Sequence, residues 1–192
     1  MTVIKGYFFD LDGTLVDTHE ANYHAYKHAV KDVMDIDLGE ELKRRIKMGE
    51  SSEQFLPKLL DTTDDSHFDR IKSRKKELYP DYLHHSKPND FLISFLRQMA
   101  GDFETVLVTT AKRKSGLAVL KAHGLDGYFS HSIFGEDVKR MKPDPEAYLL
   151  ALKTTGLKPD EVIIFEDSDI GLETADNAGI AAVHIRTFHE FA

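Results

Sequence analysis

Short apolar runs recur along the chain and predict the strands of a buried sheet. The first run, residues 3–9, is rich in β-branched and aromatic side chains and ends at Asp10. Similar runs follow at residues 105–108, 162–165 and 181–185, with a weaker one at 128–134. Continuous apolar runs of this length are typical of parallel strands that helices cover on both faces.

Segments with helical spacing of apolar residues separate these runs. They span residues 91–99, 115–123, 145–154 and 171–178. Because strands and helices alternate, the sequence predicts βαβ units. We therefore expect an α/β protein with a three-layer α/β/α, Rossmann-like core and a parallel sheet in its middle layer.

One long interval does not follow this alternation. Residues 17–87 are rich in charge, show helical patterns and contain no convincing strand. A chain of 192 residues is long enough for one full domain and a smaller insert. We predict a core domain made of residues 1–16 and 88–192, with a small α-helical domain, residues 17–87, inserted after the first strand.

The composition of the chain limits the classes of binding partner and the side chains that can act as nucleophile or metal ligand. The formal charge of -8 disfavours nonspecific binding to nucleic acid and to anionic membranes, so we expect neither as a partner. The absence of cysteine excludes a thiolate nucleophile and leaves oxygen or imidazole as metal ligands. No apolar stretch approaches the roughly 20 residues of a membrane span, and no signal-like segment opens the chain. We expect a cytoplasmic protein.

Polar side chains stand directly after the predicted strands, at the edge where open parallel sheets bind ligands. Asp10 and Asp12 would repel each other unless a cation or a shared proton relieved them. Carboxylates are typical Mg²⁺ ligands, but Asp-Gly is also a common turn, so the pair alone leaves both interpretations open. The positions at the strand ends are Asp10, Asp12, Thr109, Thr110, Glu166 and Asp167, with Lys142 in the loop before the helix at 145–154.

Residues 10–18 resemble the first signature of the haloacid dehalogenase superfamily, in its phosphatase branch. The chain has Asp-Leu-Asp-Gly-Thr-Leu-Val-Asp-Thr there. Three further signatures stand in the expected order: the strand that ends in Thr109, Lys142 within Met-Lys-Pro-Asp-Pro, and the acidic pair 166–167 after an apolar strand. The resemblance covers nearly the whole chain, and four ordered motifs are far more specific than one acidic pair.

The resemblance implies a role for each acidic residue. Asp10 would attack phosphorus and form an aspartyl-phosphate, while Asp12 would act as general acid and then as general base. Mg²⁺ would be bound by the carboxylates of Asp10 and Asp167 and by the backbone carbonyl of Asp12. Glu166 would complete this metal site by holding a coordinated water.

Three further residues would bind the phosphoryl group. The Thr109 hydroxyl and the backbone N–H of Thr110 would donate to its oxygens, and Lys142 would neutralise both the phosphate and Asp10. The resemblance thus implies a Mg²⁺-dependent phosphoric monoester hydrolase that acts on a small phosphorylated metabolite, of the sugar phosphate, phosphoglycolate or nucleotide class. In the family, an insert such as residues 17–87 is a cap that selects the substrate, and its loop around Gly49 is either a site-facing loop or an ordinary turn.

Two alternatives to a phosphatase remain open. A phosphomutase resembling β-phosphoglucomutase would have a histidine four residues after Thr18, where this chain has Asn22. Residues 45–51 also lack the Gly-x-x-Arg pattern of those mutases, so both features favour a phosphatase. A receiver-like signalling module also forms an aspartyl-phosphate, but it is disfavoured because its aspartate follows a later strand, whereas Asp10 ends the first.

Overall fold

The chain divides into two compact units. The computed structural model describes residues 3–48, 50–60, 64–186 and 188. The first unit, termed the α/β unit, comprises Met1–Asp17 and Lys87–Ala192, and the second, termed the helical unit, comprises Thr18–Ser86. In the described part of the chain, none of the helices combines the length and the apolar character that a membrane span requires.

Strands and helices alternate in the α/β unit. In chain order, the elements of the described residues are β1 (Gly6–Phe9), β2 (Val16–Asp17), α1 (His19–Met34), α2 (Glu40–Lys47), α3 (Ser52–Leu60), α4 (Asp65–Tyr82), β3 (Lys87–Pro88), α5 (Asp90–Met99), β4 (Glu104–Val108), α6 (Arg113–Ala122), β5 (His131–Ile133), α7 (Glu146–Thr155), β6 (Val162–Glu166), α8 (Asp169–Asn177) and β7 (Ala181–His184). Helices α1 to α4 all fall in the helical unit.

Five of the described strands in the α/β unit form a parallel sheet in the order β5-β4-β1-β6-β7. Strand β1 therefore lies between two neighbours. Its last residue, Phe9, is in register with Leu107 of β4 and with Phe165 of β6. Residues that follow these strands consequently emerge at one edge of the sheet.

Apolar side chains cover both faces of this sheet. On one face, Phe8 belongs to a buried cluster with Tyr148 of α7 and Ala175 of α8. On the other face, the ring of Tyr7 lies 5.1 Å from that of Phe95 in α5. Successive residues of a strand point to opposite faces, so β1 needs an unbroken apolar run. The predicted three-layer α/β fold with a parallel sheet is confirmed.

Element boundaries differ from the predicted ones where polar side chains cap a helix. Apolar spacing predicts a helix from residue 171, whereas α8 begins at Asp169. The hydroxyl of Ser168 accepts the N–H of Gly171 at 3.1 Å and so caps this first turn. Asp169 is polar and Ile170 is 48% exposed, so neither residue extends the buried apolar face from which the sequence pattern predicts the helix.

A buried apolar cluster holds the helical unit together. It draws residues from all four helices, including Val30 of α1, Leu42 of α2, Phe55 of α3 and Ile71 of α4. Asp64 is the N-cap of helix α4, and its carboxylate accepts the N–H of Ser66 at 2.9 Å.

A two-stranded ribbon within the α/β unit marks where the chain departs and returns. Strands β2 and β3 pair in antiparallel fashion, so Asp17 lies opposite Lys87. Directly after β3, Asn89 donates its backbone N–H to the carbonyl of Leu15 at 2.8 Å and its side-chain amide to the carbonyl of Thr14 at 3.1 Å. The sequence pattern predicts no strand between residues 17 and 87, because two-residue strands leave no readable pattern.

Candidate active site

Asp10 is fixed at the end of the central strand. Its backbone N–H donates to the carbonyl of Phe165 at 3.0 Å, which continues the pairing of β1 with β6. The residue before it, Phe9, is fully buried and anchors the strand in the sheet. Asp10 is only 7% exposed. The sheet therefore presents a nearly buried carboxylate at its edge.

A tight turn follows Asp10. The carbonyl of Leu11 accepts the N–H groups of both Leu15 and Val16 at 3.0 Å. Gly13 has a φ of 90°, a conformation that other residues rarely adopt, and a Cβ at this position would collide with the carboxylate of Asp167. The Asp-Gly turn and the acidic residue after β6 are thus parts of one packed structure.

Lys142 lies between two buried carboxylates. Its Nζ is 2.9 Å from Oδ1 of Asp10 and also forms an ion pair with Oε1 of Glu166. The side chains of Lys142, Asp10 and Glu166 are 6%, 9% and 1% exposed. The loop that carries the lysine is attached to α8, because the side-chain amide of Asn177 donates to the carbonyl of Pro143 at 3.0 Å. The ammonium group is therefore held close to Asp10.

Three acidic side chains meet at this edge of the sheet. Asp10, Glu166 and Asp167 each offer a carboxylate oxygen, and these oxygens lie within 4.8 Å of one another. The carboxylate of Asp167 also accepts the hydroxyl of Thr14 at 2.9 Å. Hard divalent cations such as Mg²⁺ prefer oxygen ligands, so this group fits a divalent cation.

Burial and neighbouring charges shift the pKa values of Asp10 and Lys142. Burial raises the pKa of Asp10 well above its ordinary value, and the charges of Glu166 and Asp167 raise it further, while Lys142 opposes the shift without cancelling it. Burial lowers the pKa of Lys142, but attraction to Asp10, Tyr148 and Glu166 outweighs this effect and the pKa is raised well above its usual value. Lys142 therefore stays charged, whereas a charged Asp10 calls for additional positive charge.

The other predicted site residues stand close by in the fold. Thr109 is 4% exposed and its backbone N–H donates to the carbonyl of Ile133 at 3.0 Å. Its hydroxyl accepts the N–H of Ala111 at 3.0 Å, so it forms part of the turn after β4, next to β1. Thr110 is exposed and Asp12 is half-buried. The roles proposed for these three residues stay predictions.

The sequence as a whole matches the family described as haloacid dehalogenase-like hydrolase, over residues 7–185. The chain belongs to the haloacid dehalogenase-like hydrolase family. The predicted superfamily and the predicted assignment as a hydrolase are thereby confirmed.

Relatives within this family include phosphatases, pyrophosphatases and a mutase. A phosphorylated carbohydrates phosphatase of Thermotoga maritima is 31% identical over 94% of this chain and 84% of its own length. The β-phosphoglucomutase of Bacillus subtilis is 24% identical, over 95% of this chain and 83% of its own length. Among solved structures, CbbY of Rhodobacter sphaeroides in complex with phosphate shares the fold with a TM-score of 0.78, at 23% identity, over 98% of this chain and 90% of that one.

The haloacid dehalogenase-like signatures do not include every residue that contacts the acidic group. Tyr148 of α7 is fully buried, its hydroxyl lies 3.3 Å from Oε1 of Glu166, and its ring centre lies 5.5 Å from Nζ of Lys142. Gly171 of α8 packs against the carboxylate of Glu166. The sequence pattern identifies neither residue as part of the site, because Tyr148 fits the apolar face of its helix. A buried tyrosine needs a partner for its hydroxyl, and that was the available signal.

Two further predictions concern the helical unit. Asn22, at the position where mutases of the family have histidine, donates its side-chain amide to the hydroxyl and carbonyl of Thr18 at 3.2 Å. This residue therefore bonds within the first turn of α1. The loop predicted around Gly49 cannot be described in full, since Gly49 lies outside the described residues.

Proposed function

We propose that this chain is a Mg²⁺-dependent phosphatase that hydrolyses a small phosphomonoester through an aspartyl-phosphate on Asp10. The observation that carries the proposal is the contact of 2.9 Å between Lys142 and Asp10, beside the carboxylates of Glu166 and Asp167. A carboxylate that is nearly buried and touches one ammonium group is suited to covalent catalysis on a phosphoryl group.

The reaction requires two transfers at Asp10. In the first, a carboxylate oxygen of Asp10 forms a bond to phosphorus as the bond to the leaving alkoxide breaks, and Asp12 gives the alkoxide a proton. In the second, Asp12 takes a proton from a water that attacks phosphorus, which releases inorganic phosphate and regenerates the Asp10 carboxylate. Lys142 and the hydroxyl of Thr109 bind phosphoryl oxygens throughout.

Asp10, Asp167 and the carbonyl of Asp12 would bind Mg²⁺. When bound, Mg²⁺ supplies positive charge that neutralises the phosphoryl oxygens and keeps Asp10 ionised. The raised pKa of Asp10 supports this assignment, because the side chains around it leave its negative charge incompletely balanced.

The relatives support a class of substrate for the proposed reaction. Similarity to a phosphorylated carbohydrates phosphatase supports a sugar phosphate as substrate. We assign the substrate-selecting cap to residues 17–87, since the residues around Asp10 recognise only the phosphoryl group.

A mutase is the second candidate. Similarity to the β-phosphoglucomutase of Bacillus subtilis supports it. Asn22 argues against it, because an amide cannot take up and release the proton that a histidine can at this position. Hydrolysis is therefore the activity that we propose.

A screen of phosphorylated metabolites tests both candidates. Purified protein with Mg²⁺ is incubated with sugar phosphates, phosphoglycolate, nucleoside monophosphates and β-glucose 1-phosphate, and released phosphate and glucose 6-phosphate are measured. We expect phosphate release that EDTA abolishes and that Asp10→Asn reduces by at least about 10³-fold. Asp126→Asn, which changes an exposed aspartate of the same unit, is the matched control.

Three outcomes contradict this proposal. Undiminished turnover by Asp10→Asn would exclude this residue as the nucleophile. Formation of glucose 6-phosphate in excess of released phosphate would favour the mutase. Turnover that persists in EDTA would exclude the metal requirement.

A further inference from the structure

The carboxylate of Glu166 is surrounded by hydrogen-bond donors of the chain itself. Oε1 pairs with the ammonium group of Lys142 and lies 3.3 Å from the hydroxyl of Tyr148. Oε2 accepts the backbone N–H of Asp167 at 3.1 Å, the N–H of Ser168 at 3.3 Å and the Ser168 hydroxyl at 3.1 Å. A carboxylate has about four lone-pair sites, so these five donors use its capacity in full.

Packing closes the remaining side of this carboxylate. Glu166 is 0% exposed, and a Cβ at position 171 would collide with its carboxylate carbon and both oxygens. Gly171 is therefore required for close approach of α8. A cation bound directly to Glu166 would have to displace a donor that is already in place, whereas Asp10 and Asp167 lie at the more open side of the group, where both are less deeply buried than Glu166.

Tyr148 completes the environment of the lysine. Its hydroxyl reaches the same oxygen of Glu166 that Lys142 pairs with, and its ring lies 5.5 Å from the ammonium nitrogen. A lysine side chain has a flexible four-carbon stem that can adopt many rotamers. Contacts with Asp10, with Glu166 and with the tyrosine ring restrict it to one position.

We propose that Glu166 and Tyr148 are positioning residues, which hold Lys142 against Asp10 and the phosphoryl group, and that Glu166 is not a ligand of the cation. The proposal rests on the proposed function for its kinetic part. It differs from the role that the family resemblance implied for Glu166, which was to hold a metal-bound water.

Metal affinity separates the two roles of Glu166. Glu166→Gln keeps the size of the side chain and removes its charge, and Mg²⁺ binding to this variant is measured by titration calorimetry without substrate. We expect the Mg²⁺ dissociation constant to change less than about 3-fold, whereas kcat falls about 10- to 100-fold and KM is little changed, since a misplaced charged group lowers the rate. Glu173→Gln, an exposed position on α8, is the control.

Tyrosine variants test the second positioning residue. Tyr148→Phe removes only the hydroxyl and should lower kcat about 3- to 10-fold, whereas Tyr148→Leu also removes the ring and should lower it further. Tyr128→Phe is the control in the same unit. In a Lys142→Met background, Glu166→Gln and Tyr148→Phe should add little further loss, because both act through the lysine.

The chemical reactivity of Lys142 tests the positioning role without catalytic turnover. The rate at which a water-soluble acetylating reagent modifies Lys142 in the Mg²⁺-free protein is followed by mass spectrometry. We expect this rate to rise at least about 5-fold in Glu166→Gln and in Tyr148→Phe, since both release the ammonium group from its partners. If the wild type proves inactive, the proposed function fails while this measurement still decides the positioning role.

Two results would overturn the proposal. One is a loss of Mg²⁺ affinity of about 10-fold or more in Glu166→Gln, as expected of a residue that binds the cation directly or through a coordinated water. The other is an acetylation rate of Lys142 that stays at the wild-type value in both variants.

Discussion

Opposite charges pair in different environments in the two units. In the helical unit, Arg44 bonds Glu41 at 2.8 Å with side chains that are 60% and 44% exposed. In the α/β unit, Lys142 bonds Asp10 at 2.9 Å with side chains that are 6% and 9% exposed. The distances are nearly equal, and burial is what distinguishes the pairs.

The exposed pairs and the buried pair have different consequences for stability and for function. Exposed pairs are screened by water and salt and contribute little to stability. Buried ionised groups cost desolvation, so a fold that keeps them without full compensation usually does so for function. The group around Lys142 has three carboxylates and one ammonium among its described side chains, which is a costly arrangement for a purely structural core.

Removal of the buried lysine should give the largest effect. Lys142→Met leaves Asp10 and Glu166 without their ammonium partner, and we expect a loss of about 3–5 kcal/mol in the free energy of unfolding without Mg²⁺. Turnover should fall by about 10²- to 10³-fold, since the proposed reaction loses the group that would neutralise the phosphoryl oxygens. Urea unfolding and steady-state kinetics measure the two effects. Lys121→Met, at an exposed lysine of α6, is the control, and equal stability of the two variants would refute the comparison.

Neutralising Asp10 should stabilise the metal-free protein. The folded pKa of Asp10 lies above its unfolded value, so its ionisation destabilises the fold increasingly as pH rises above about 4 toward that folded pKa. Asp10→Asn removes this destabilisation at neutral pH. We expect its thermal midpoint in EDTA at pH 7 to exceed that of the wild type by at least about 2 °C, with the difference shrinking toward pH 4.

Calorimetry with and without Mg²⁺ checks this expectation. Added Mg²⁺ should raise the thermal midpoint of the wild type more than that of Asp10→Asn, because the cation binds the charged form. A variant that is less stable than the wild type at neutral pH in EDTA would show that Lys142 fully compensates the charge of Asp10.

Removal of an exposed pair should give the smallest effect. Arg74 of α4 bonds Asp32 at 2.7 Å and Glu77 at 2.9 Å, on the surface of the helical unit. We expect Arg74→Ala to shift the thermal midpoint by less than about 2 °C, and 0.5 M NaCl to reduce the shift. Turnover should be unchanged. A shift as large as that of Lys142→Met would mean that burial does not separate the two classes of pair.

Much of the α/β unit could be predicted from the sequence because its strands are buried on both faces. The run that ends in Asp10 has the continuous apolar character of a strand buried on both faces, and the motifs at Thr109 and Lys142 point to two further loops. Family membership followed from their order, and the comparison over residues 7–185 confirms it. Because the strands are parallel, the residues that follow them are expected to meet at one edge of the sheet.

The environment of Glu166 could not be predicted in the same way. It depends on a hydroxyl from α7, on close approach at Gly171 of α8, and on the register of β6 with β1. Hydrophobic patterns identify faces of elements but not the register between strands distant in sequence. The motif therefore identifies Glu166, but only the packing around it shows that both of its carboxylate oxygens already accept hydrogen bonds.

The ribbon of β2 and β3 has a consequence for how the gene for such a protein can be rearranged. Asp17 and Lys87 are paired across the ribbon, so the two ends of the insert are as close as the ends of a hairpin loop. To the sheet, the whole segment between them is equivalent to a turn of a few residues. An exchange of this segment between homologous genes would thus preserve the chain path around Asp10, and the recombination points would fall outside the five strands of the parallel sheet.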